Sequence, residues 1–544
     1  MKLVTVPEMR RIEEEADSNG LTYAKMMENA GRNLARETMR LTHVNDDEEA
    51  VQVLGLVGPG NNGGDTLVAL TYLAEKGWKA RAYLVRRKRS GDALIKRLEE
   101  AEGEIVPAEK DDGFHQLQSF LESADVLLDG VLGTGFKLPL KEEVASVLES
   151  VKDCLSQMEW PPYVIAVDCP SGIDCDTGEA APQTIPAEAT VTMAAVKQGL
   201  LKMPAYDLSG ELQVIDIGPL DELESWQAVR NEAADEQMVV QLLPERPAEA
   251  HKGTFGTALI AAGSINFTGA ALMAGKAAYR VGAGLVTLAV PGQLHGTLAG
   301  QFPEATWVIL PSQMGVIASS AASVLIENLE KATALLVGPG LGMEDTTKDF
   351  IGTLLSLGQE KPAHGQMGFV KRKEAKAETK PVRLPPLVFD ADGLKLLAKF
   401  PDWAKMLPKP AILTPHPGEM AILTGLKTED IQKDRLAVAL KYAKEWGHVV
   451  VLKGAFTVVA APDGRTTTIP VATPALARAG TGDVLAGLIC GLRAQGVDAY
   501  DAGRAGAWIH AQAGLAAAEM LGSSISVMAG DVLEAVPEVL ASLG

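Results

Sequence analysis

The tightest constraint on this chain is the octapeptide Gly58-Pro59-Gly60-Asn61-Asn62-Gly63-Gly64-Asp65. It stands between a strand-like apolar run, Val51–Val57, and a helix-like run from Thr66 to Lys76. A strand that leaves through glycines into a helix aims several backbone N–H groups at one spot, and such a spot binds phosphate. A second device with different wording, Ala479-Gly480-Thr481-Gly482-Asp483, precedes the helix-like segment Val484–Arg493. Two phosphate cradles, one in each half of the chain, predict two nucleotide-handling domains.

The 544 residues exceed a single ordinary core and divide naturally. In the first half, strand-like pieces at Val51–Val57, Lys79–Val85, Ala124–Asp129, Tyr163–Asp168, Thr190–Ala195 and Leu212–Ile217 alternate with helical patterns. That alternation predicts a parallel sheet covered on both faces. The segment Val6 to Met39 reads as two helices broken at Asn19-Gly20. An acidic, poorly periodic stretch follows, and the boundary is expected there: a first domain over 1–217, a linker over 218–236 and a second domain over 237–544.

Alternation restarts with Thr257–Ala262, Leu285–Val290, Ala334–Val337, Leu387–Asp390, Ala411–Leu413 and Val449–Leu452. Thr457–Ala461 and Thr466–Pro470 flank Pro462-Asp463-Gly464, which reads as a hairpin turn. The stretch 358–386 breaks the pattern: it is basic, nearly free of apolar residues, and expected to be a loop dispensable to chemistry.

A formal net charge of -20 argues against a nucleic-acid or anionic-membrane surface. Cys154, Cys169, Cys175 and Cys490 show no zinc-type spacing and read as buried thiols in a reducing compartment. Charged residues begin at Lys2, and no apolar run reaches membrane-spanning length, so a cytoplasmic location is expected. Ala-rich helices near Ala502–Met520 suit self-association and buried packing within the domain equally well, and a homo-oligomer is expected.

In parallel sheets, ligands bind beyond the carboxyl ends of strands. Four features fall at such ends: the glycine turn, Asp129-Gly130, Gly133-Thr134-Gly135-Phe136-Lys137, and Asp168-Cys169-Pro170-Ser171-Gly172. Taken singly, each is an ordinary turn or helix cap. Together they predict glycine N–H groups around phosphate and Asn62, Asp129 and Ser171 as hard oxygen ligands for a cation. Asp168 is left as the carboxylate for proton transfer.

These motifs, with Met27-Glu28-Asn29-Ala30-Gly31, Leu132-Gly133-Thr134-Gly135 and Ile173-Asp174, resemble the NAD(P)H-hydrate epimerases over about the first 217 residues. The resemblance implies a Rossmann-like three-layer fold and interconversion of the R and S hydrates of NADH and NADPH. It implies a potassium ion at Asn62, Asp129 and Ser171. Substrate contacts fall on Asn61, Asn62, Gly63, Gly64 and Asp65, on Gly133, Thr134, Gly135, Phe136, Lys137, Leu138 and Pro139, and on Asp168. Thr66 departs from the family, which usually carries a further glycine there, and a slightly tighter backbone approach is expected.

In the second half, the dipole and N–H groups of Gly480-Thr481-Gly482 can stabilise a transferring phosphoryl group, and Asp483 can take a proton from a substrate hydroxyl. Gly338-Pro339-Gly340-Leu341-Gly342, Thr414-Pro415-His416-Pro417-Gly418-Glu419 and Lys453-Gly454-Ala455-Phe456-Thr457 follow predicted strands. With Gly269-Ala270 and Asp390-Ala391-Asp392-Gly393 they resemble the ADP- or ATP-dependent NAD(P)H-hydrate dehydratases of the ribokinase-like α/β superfamily, from about residue 240 onward. The resemblance implies nucleotide contacts at Lys453, Gly454, Ala455, Phe456, Thr457 and Gly482. It implies hydrate contacts at Ala270, Gly342, His416 and Asp483, with ADP and Mg2+ as co-substrate and with AMP and phosphate as products. The expected function is therefore bifunctional repair of hydrated nicotinamide nucleotides. Its rival is a small-molecule kinase, for example of a vitamin alcohol, fused to a non-catalytic Rossmann-like scaffold.

Overall fold

The computed structural model describes residues 1–42, 51–357 and 383–544. Most of the basic stretch 358–386 therefore lies outside the described residues. The chain forms two compact units, Met1–Glu232 and Ala233–Gly544.

The first unit opens with α1 (Val6–Ser18), whose start is a capping box between Thr5 and Glu8. It ends at Asn19 and the left-handed Gly20, as the sequence predicts, and α2 (Tyr23–Leu41) follows. The sheet comprises β1 (Gln52–Val57), β2 (Lys79–Leu84), β3 (Glu104–Pro107), β4 (Val126–Gly130), β5 (Tyr163–Val167), β6 (Ala189–Met193) and β7 (Glu211–Ile215). These seven strands run in the order β3-β2-β1-β4-β5-β6-β7, every neighbouring pair parallel. β3 escaped the sequence reading because an edge strand of four residues with an exposed Glu104 carries no apolar run.

Side chains alternate across the sheet: Val53 joins one core with Ile12, Leu34 and Leu70, and Leu54 joins another with Leu127 and Leu148. Strand order reverses between β1 and β4, so the loops leaving their carboxyl ends diverge and open a crevice. α3 (Asn61–Glu75) starts there. The stretch 218–236, expected as a linker, has structure of its own: Leu220, Leu223 and Val229 are buried in the first core, and Glu15 accepts from the amides of Glu224 and Ser225 at 2.9 Å each.

The second unit contains β8 (Thr257–Ala261), β9 (Leu285–Pro291), β10 (Thr306–Leu310), β11 (Ala334–Val337), β12 (Leu387–Phe389), β13 (Ile412–Leu413), β14 (Val449–Leu452), β15 (Val458–Ala460) and β16 (Thr466–Thr468). Their order is β16-β15-β14-β13-β12-β11-β8-β9-β10, parallel from β14 to β10 and antiparallel across β14-β15-β16. The predicted hairpin turn is present, closed by Ala461 N–H donating to Arg465 O at 2.9 Å. β10 was missed; its Thr306 and Ile309 face solvent, as befits an edge. The switch point lies between β8 and β11.

The helices that matter here are α4 (Thr268–Arg280), α5 (Pro417–Thr424), α6 (Thr481–Ala494), α7 (Ala499–Met520) and α8 (Ala529–Ser542). α4 and α6 cross closely: a Cβ on Gly487 would stand 2.2 Å from the Ala274 carbonyl oxygen, so only glycine fits. Ala502, Ala505, Ala507, Ala513 and Ala517 of α7 are buried within this unit's own core. Their small side chains serve packing inside the unit and give no argument for self-association. Among the described residues no helix is long and apolar enough to cross a membrane.

Candidate functional site

In the first unit the glycine turn is built by close approach. A Cβ on Gly63 would lie 2.1 Å from the Gly58 carbonyl oxygen, and Arg87 donates to Gly58 O and Gly60 O at 3.1 and 3.2 Å. Thr66 does not narrow the crevice. It is fully buried beneath β4, its hydroxyl donates to Asn62 O at 2.8 Å, and Gly130 supplies the space it occupies.

Asn62, Asp129 and Ser171 do meet. Asn62 Nδ2 donates to Leu132 O at 2.9 Å, while Leu132 N–H donates to Ser171 Oγ at 2.9 Å. Ser171 in turn donates to Asp129 through its amide at 2.8 Å and its hydroxyl at 2.6 Å. Burial pushes the Asp129 carboxyl up, against the pull of those bonds. Asn62 Oδ1 is left buried with no partner, an oxygen lone pair without a donor. That donor chemistry fits a hard cation. Gly133 packs against Asn62, and the loop that continues through Thr134, Gly135, Phe136, Lys137, Leu138 and Pro139 is tied to α1 by Arg10 donating to Thr134 O at 3.3 Å.

Asp168 adopts a left-handed φ of 66° at the end of β5. Its Oδ1 accepts from Thr192 Oγ1 and the Met193 amide, both at 3.1 Å, and from Lys197 Nζ. Lys197 is fully buried and spends its other two donors on Thr192 Oγ1 and Met193 O, each at 2.9 Å. Asp65 and Glu13 face the same small cavity, together with Asn61 and Tyr23. Burial, then the charge of Asp168, pushes both carboxyls up, Asp65 far above its ordinary value. Lys197 and Glu13 were missed from the sequence. A lysine within a two-residue strand and a glutamate on an exposed-looking helix face carry no motif.

In the second unit Asp483 is the third residue of α6, behind the left-handed Gly480. Burial and then the negative charge of Asp390 push it up to about 7. Lys453 donates to Asp390 Oδ1 at 2.6 Å and stands 3.8 Å from Glu419. Burial alone would lower this ammonium's pKa, but the two carboxylates raise it. A Cβ on Gly482 would lie 3.4 Å from Lys453 Nζ, which puts that charge at the first turn of α6. Asp390 Oδ1 also accepts from Thr414 Oγ1 at 2.6 Å, whereas its Oδ2 is buried without a partner.

His416 is the N-cap of α5: its Nδ1 accepts from Gly418 N–H at 3.0 Å, and Nε2 lies 3.3 Å from Glu419 Oε1. Gly342 N–H donates to Asp392 at 3.1 Å, and the neighbouring Gly340 lies against Ala270 at the first turn of α4. Lys453, Gly454, Ala455, Thr457 and Gly482 line a cleft of about 180 Å³; Phe456, with a left-handed φ of 54°, belongs to the same loop. Among the described residues no three His, Cys, Asp or Glu side chains form a metal cage. A divalent ion here would be shared with nucleotide phosphates, and the free Asp390 Oδ2 suits that mode.

The geometry thus separates two carboxylate centres, each beside a helix N-terminus. The family model described as YjeF-related protein N-terminus matches residues 23–199, and the model described as NAD(P)H-hydrate dehydratase matches residues 258–538. The chain is 35% identical to the bifunctional NAD(P)H-hydrate repair enzyme Nnr of Moorella thermoacetica, covering 100% of this chain and 97% of that one. It is 36% identical to the enzyme of the same name from Salinibacter ruber, covering 96% and 93%. A solved ADP/ATP-dependent NAD(P)H-hydrate dehydratase from Bacillus subtilis, co-crystallised with ATP and Mg2+, is 30% identical over 57% of this chain and 99% of its own, with a TM-score of 0.45.

Proposed function

This chain belongs to the bifunctional NAD(P)H-hydrate repair enzymes, and from that premise we propose how its two centres divide the work. The first unit epimerises the hydrates at C6; the second dehydrates the S form at the expense of ADP.

In the epimerase centre the departing C6 hydroxyl needs a proton, and Asp65, whose protonated form burial favours, supplies it. The ring nitrogen's lone pair forms the C=N bond as water leaves. Water then adds to the opposite face of C6 and gives its proton to Asp168, which Lys197 orients. A proton passed from Asp168 to Asp65 resets the pair. Asn62, Asp129 and Ser171 would hold potassium, supported by the orphaned Asn62 Oδ1. Bound there, the ion supplies fixed positive charge beside an anionic substrate.

In the dehydratase centre Asp483 removes the proton of the C6 hydroxyl. The oxygen attacks the terminal phosphorus of ADP, and AMP leaves from a cradle formed by Lys453, the loop to Thr457 and Gly482. The ring nitrogen expels phosphate from C6, and the C5 proton departs with it, which restores NADH or NADPH. Direct loss of water would need hydroxide as leaving group; phosphorylation avoids this. Ala270, Gly342 and His416 border the space for the hydrate. Mg2+ carried on the nucleotide would be met by Asp390 and Glu419 and would neutralise phosphate charge.

One observation carries this reading: a carboxyl held near 7 at a helix N-terminus beside a partly buried lysine. Such a group serves as a general base at neutral pH. The test is to supply mixed hydrates with ADP and Mg2+ and to follow the return of reduced-nicotinamide absorbance and the release of AMP and phosphate. A stable phosphoester product would instead establish a kinase.

A further inference from the structure

Helix α7 carries a polar side chain that the chemistry above leaves unused. His510 is only 8% exposed, among alanines, and lines the same cleft as Lys453, Gly454 and Gly482. Its Nε2 is buried with no hydrogen-bond partner. Val471, Leu476 and Leu485 supply the apolar part of the lining, beside the hydroxyl-bearing Thr457, Thr473 and Thr481.

The protonation of the ring follows from its surroundings. Burial pushes the imidazole down to about 4, partly offset by a hydrogen bond with the Thr481 backbone. The ring is therefore neutral at physiological pH, with one nitrogen donating and the other accepting. A backbone bond that favours the protonated ring is one the ring donates to a carbonyl. With Nε2 unpartnered, Nδ1 carries that proton. Nε2 consequently keeps a buried lone pair without a partner on a residue that lines this cleft, a costly arrangement unless a ligand donates to it.

We propose that His510 determines nucleotide specificity in the dehydratase centre, its Nε2 accepting a hydrogen bond from an N–H or O–H of the nucleoside half of the adenine nucleotide. The inference rests on the reading that this cleft holds the nucleotide. Phosphate oxygens are excluded as partners because a lone pair repels them and because Lys453 and the first turn of α6 already serve them. The apolar side chains of Val471, Leu476 and Leu485 suit a purine face. The donors a nucleoside offers are the 6-amino group and the ribose hydroxyls.

The test measures calorimetric binding of ADP, IDP, 2′-deoxy-ADP and 3′-deoxy-ADP to the full-length wild type and to His510→Phe and His510→Gln. IDP lacks the 6-amino donor, and each deoxy analogue lacks one hydroxyl. Wild type should bind one of these analogues about 10- to 100-fold more weakly than ADP. His510→Phe should weaken ADP by a similar factor and bind that analogue and ADP alike, whereas His510→Gln, which retains an acceptor, should recover part of the preference. A gap for IDP identifies the amine, and a gap for a deoxy analogue identifies the ribose hydroxyl. If His510→Phe fails to fold, the Gln variant against the same series decides. The proposal is overturned if wild type binds all four alike, or if its preference survives unchanged in the substituted protein. No ADP binding by wild type would overturn the nucleotide reading itself.

Discussion

Lowering the pH from 8 to 6 should switch off the dehydratase while the protein stays folded. Asp483 acts as a base only when ionised, and burial with the charge of Asp390 holds it at about 7. Because this carboxyl is raised, activity is present above that value and lost as pH falls through it. The ionised fraction runs from about nine-tenths at pH 8 to about one-tenth at pH 6, so the rate should drop roughly tenfold. An ordinary carboxylate would give almost no change over this range. The assay is single turnover of purified S hydrate with saturating ADP and Mg2+, with the uncatalysed rate subtracted at each pH. Asp483→Asn should bind ADP across the range and lose on the order of 10² to 10⁴ in rate, and with it the acid limb. A flat wild-type profile between pH 6 and 8, or an Asp483→Asn enzyme that keeps the limb, would refute the assignment of the base.

The two centres should separate. Asp168→Asn should block R-to-S exchange and leave repair of pure S hydrate intact, Asp483→Asn should do the reverse, and a mixture of the two should convert both hydrates, as followed by absorbance. Lys197→Met should lower epimerase turnover at least about 100-fold and cost roughly 3–5 kcal/mol in urea unfolding, because Asp168 loses its buried cation. Replacing potassium by tetramethylammonium should depress epimerisation and not dehydration; crystals grown with rubidium should show anomalous density beside Asn62 Oδ1 and none in Asp129→Ala. Exchanging residues 358–382 for a short Gly-Ser linker should leave dehydration nearly unchanged, whereas a large loss in a folded protein would assign that stretch a role.

Much of this molecule is legible along the chain. Glycine turns between apolar runs and helices announce both switch points, because tight backbone approach at Gly63 and at Gly338, where a Cβ would stand 1.9 Å from Asp390 O, admits no side chain. The strands buried on both faces are readable for the same reason: they must be continuously apolar. The edge strands β3 and β10 were not, since one exposed side removes the pattern.

Sequence alone singled out the two glycine turns, the carboxylates Asp168 and Asp483 and the oxygens of Asn62, Asp129 and Ser171 as candidates, because each sits inside a local motif at a strand end or helix start. Tertiary structure alone decided which groups surround them. Lys197 reaches Asp168 across 29 positions, Asp390 meets Lys453 across 63, and His510 joins the cleft lined by Lys453 from an alanine-rich helix. What those partners do comes from burial: out of water an unpaired charge or lone pair is costly, so a single neighbour decides a proton's place. That cost arises only when distant segments are packed together, and no run of residues records it in advance.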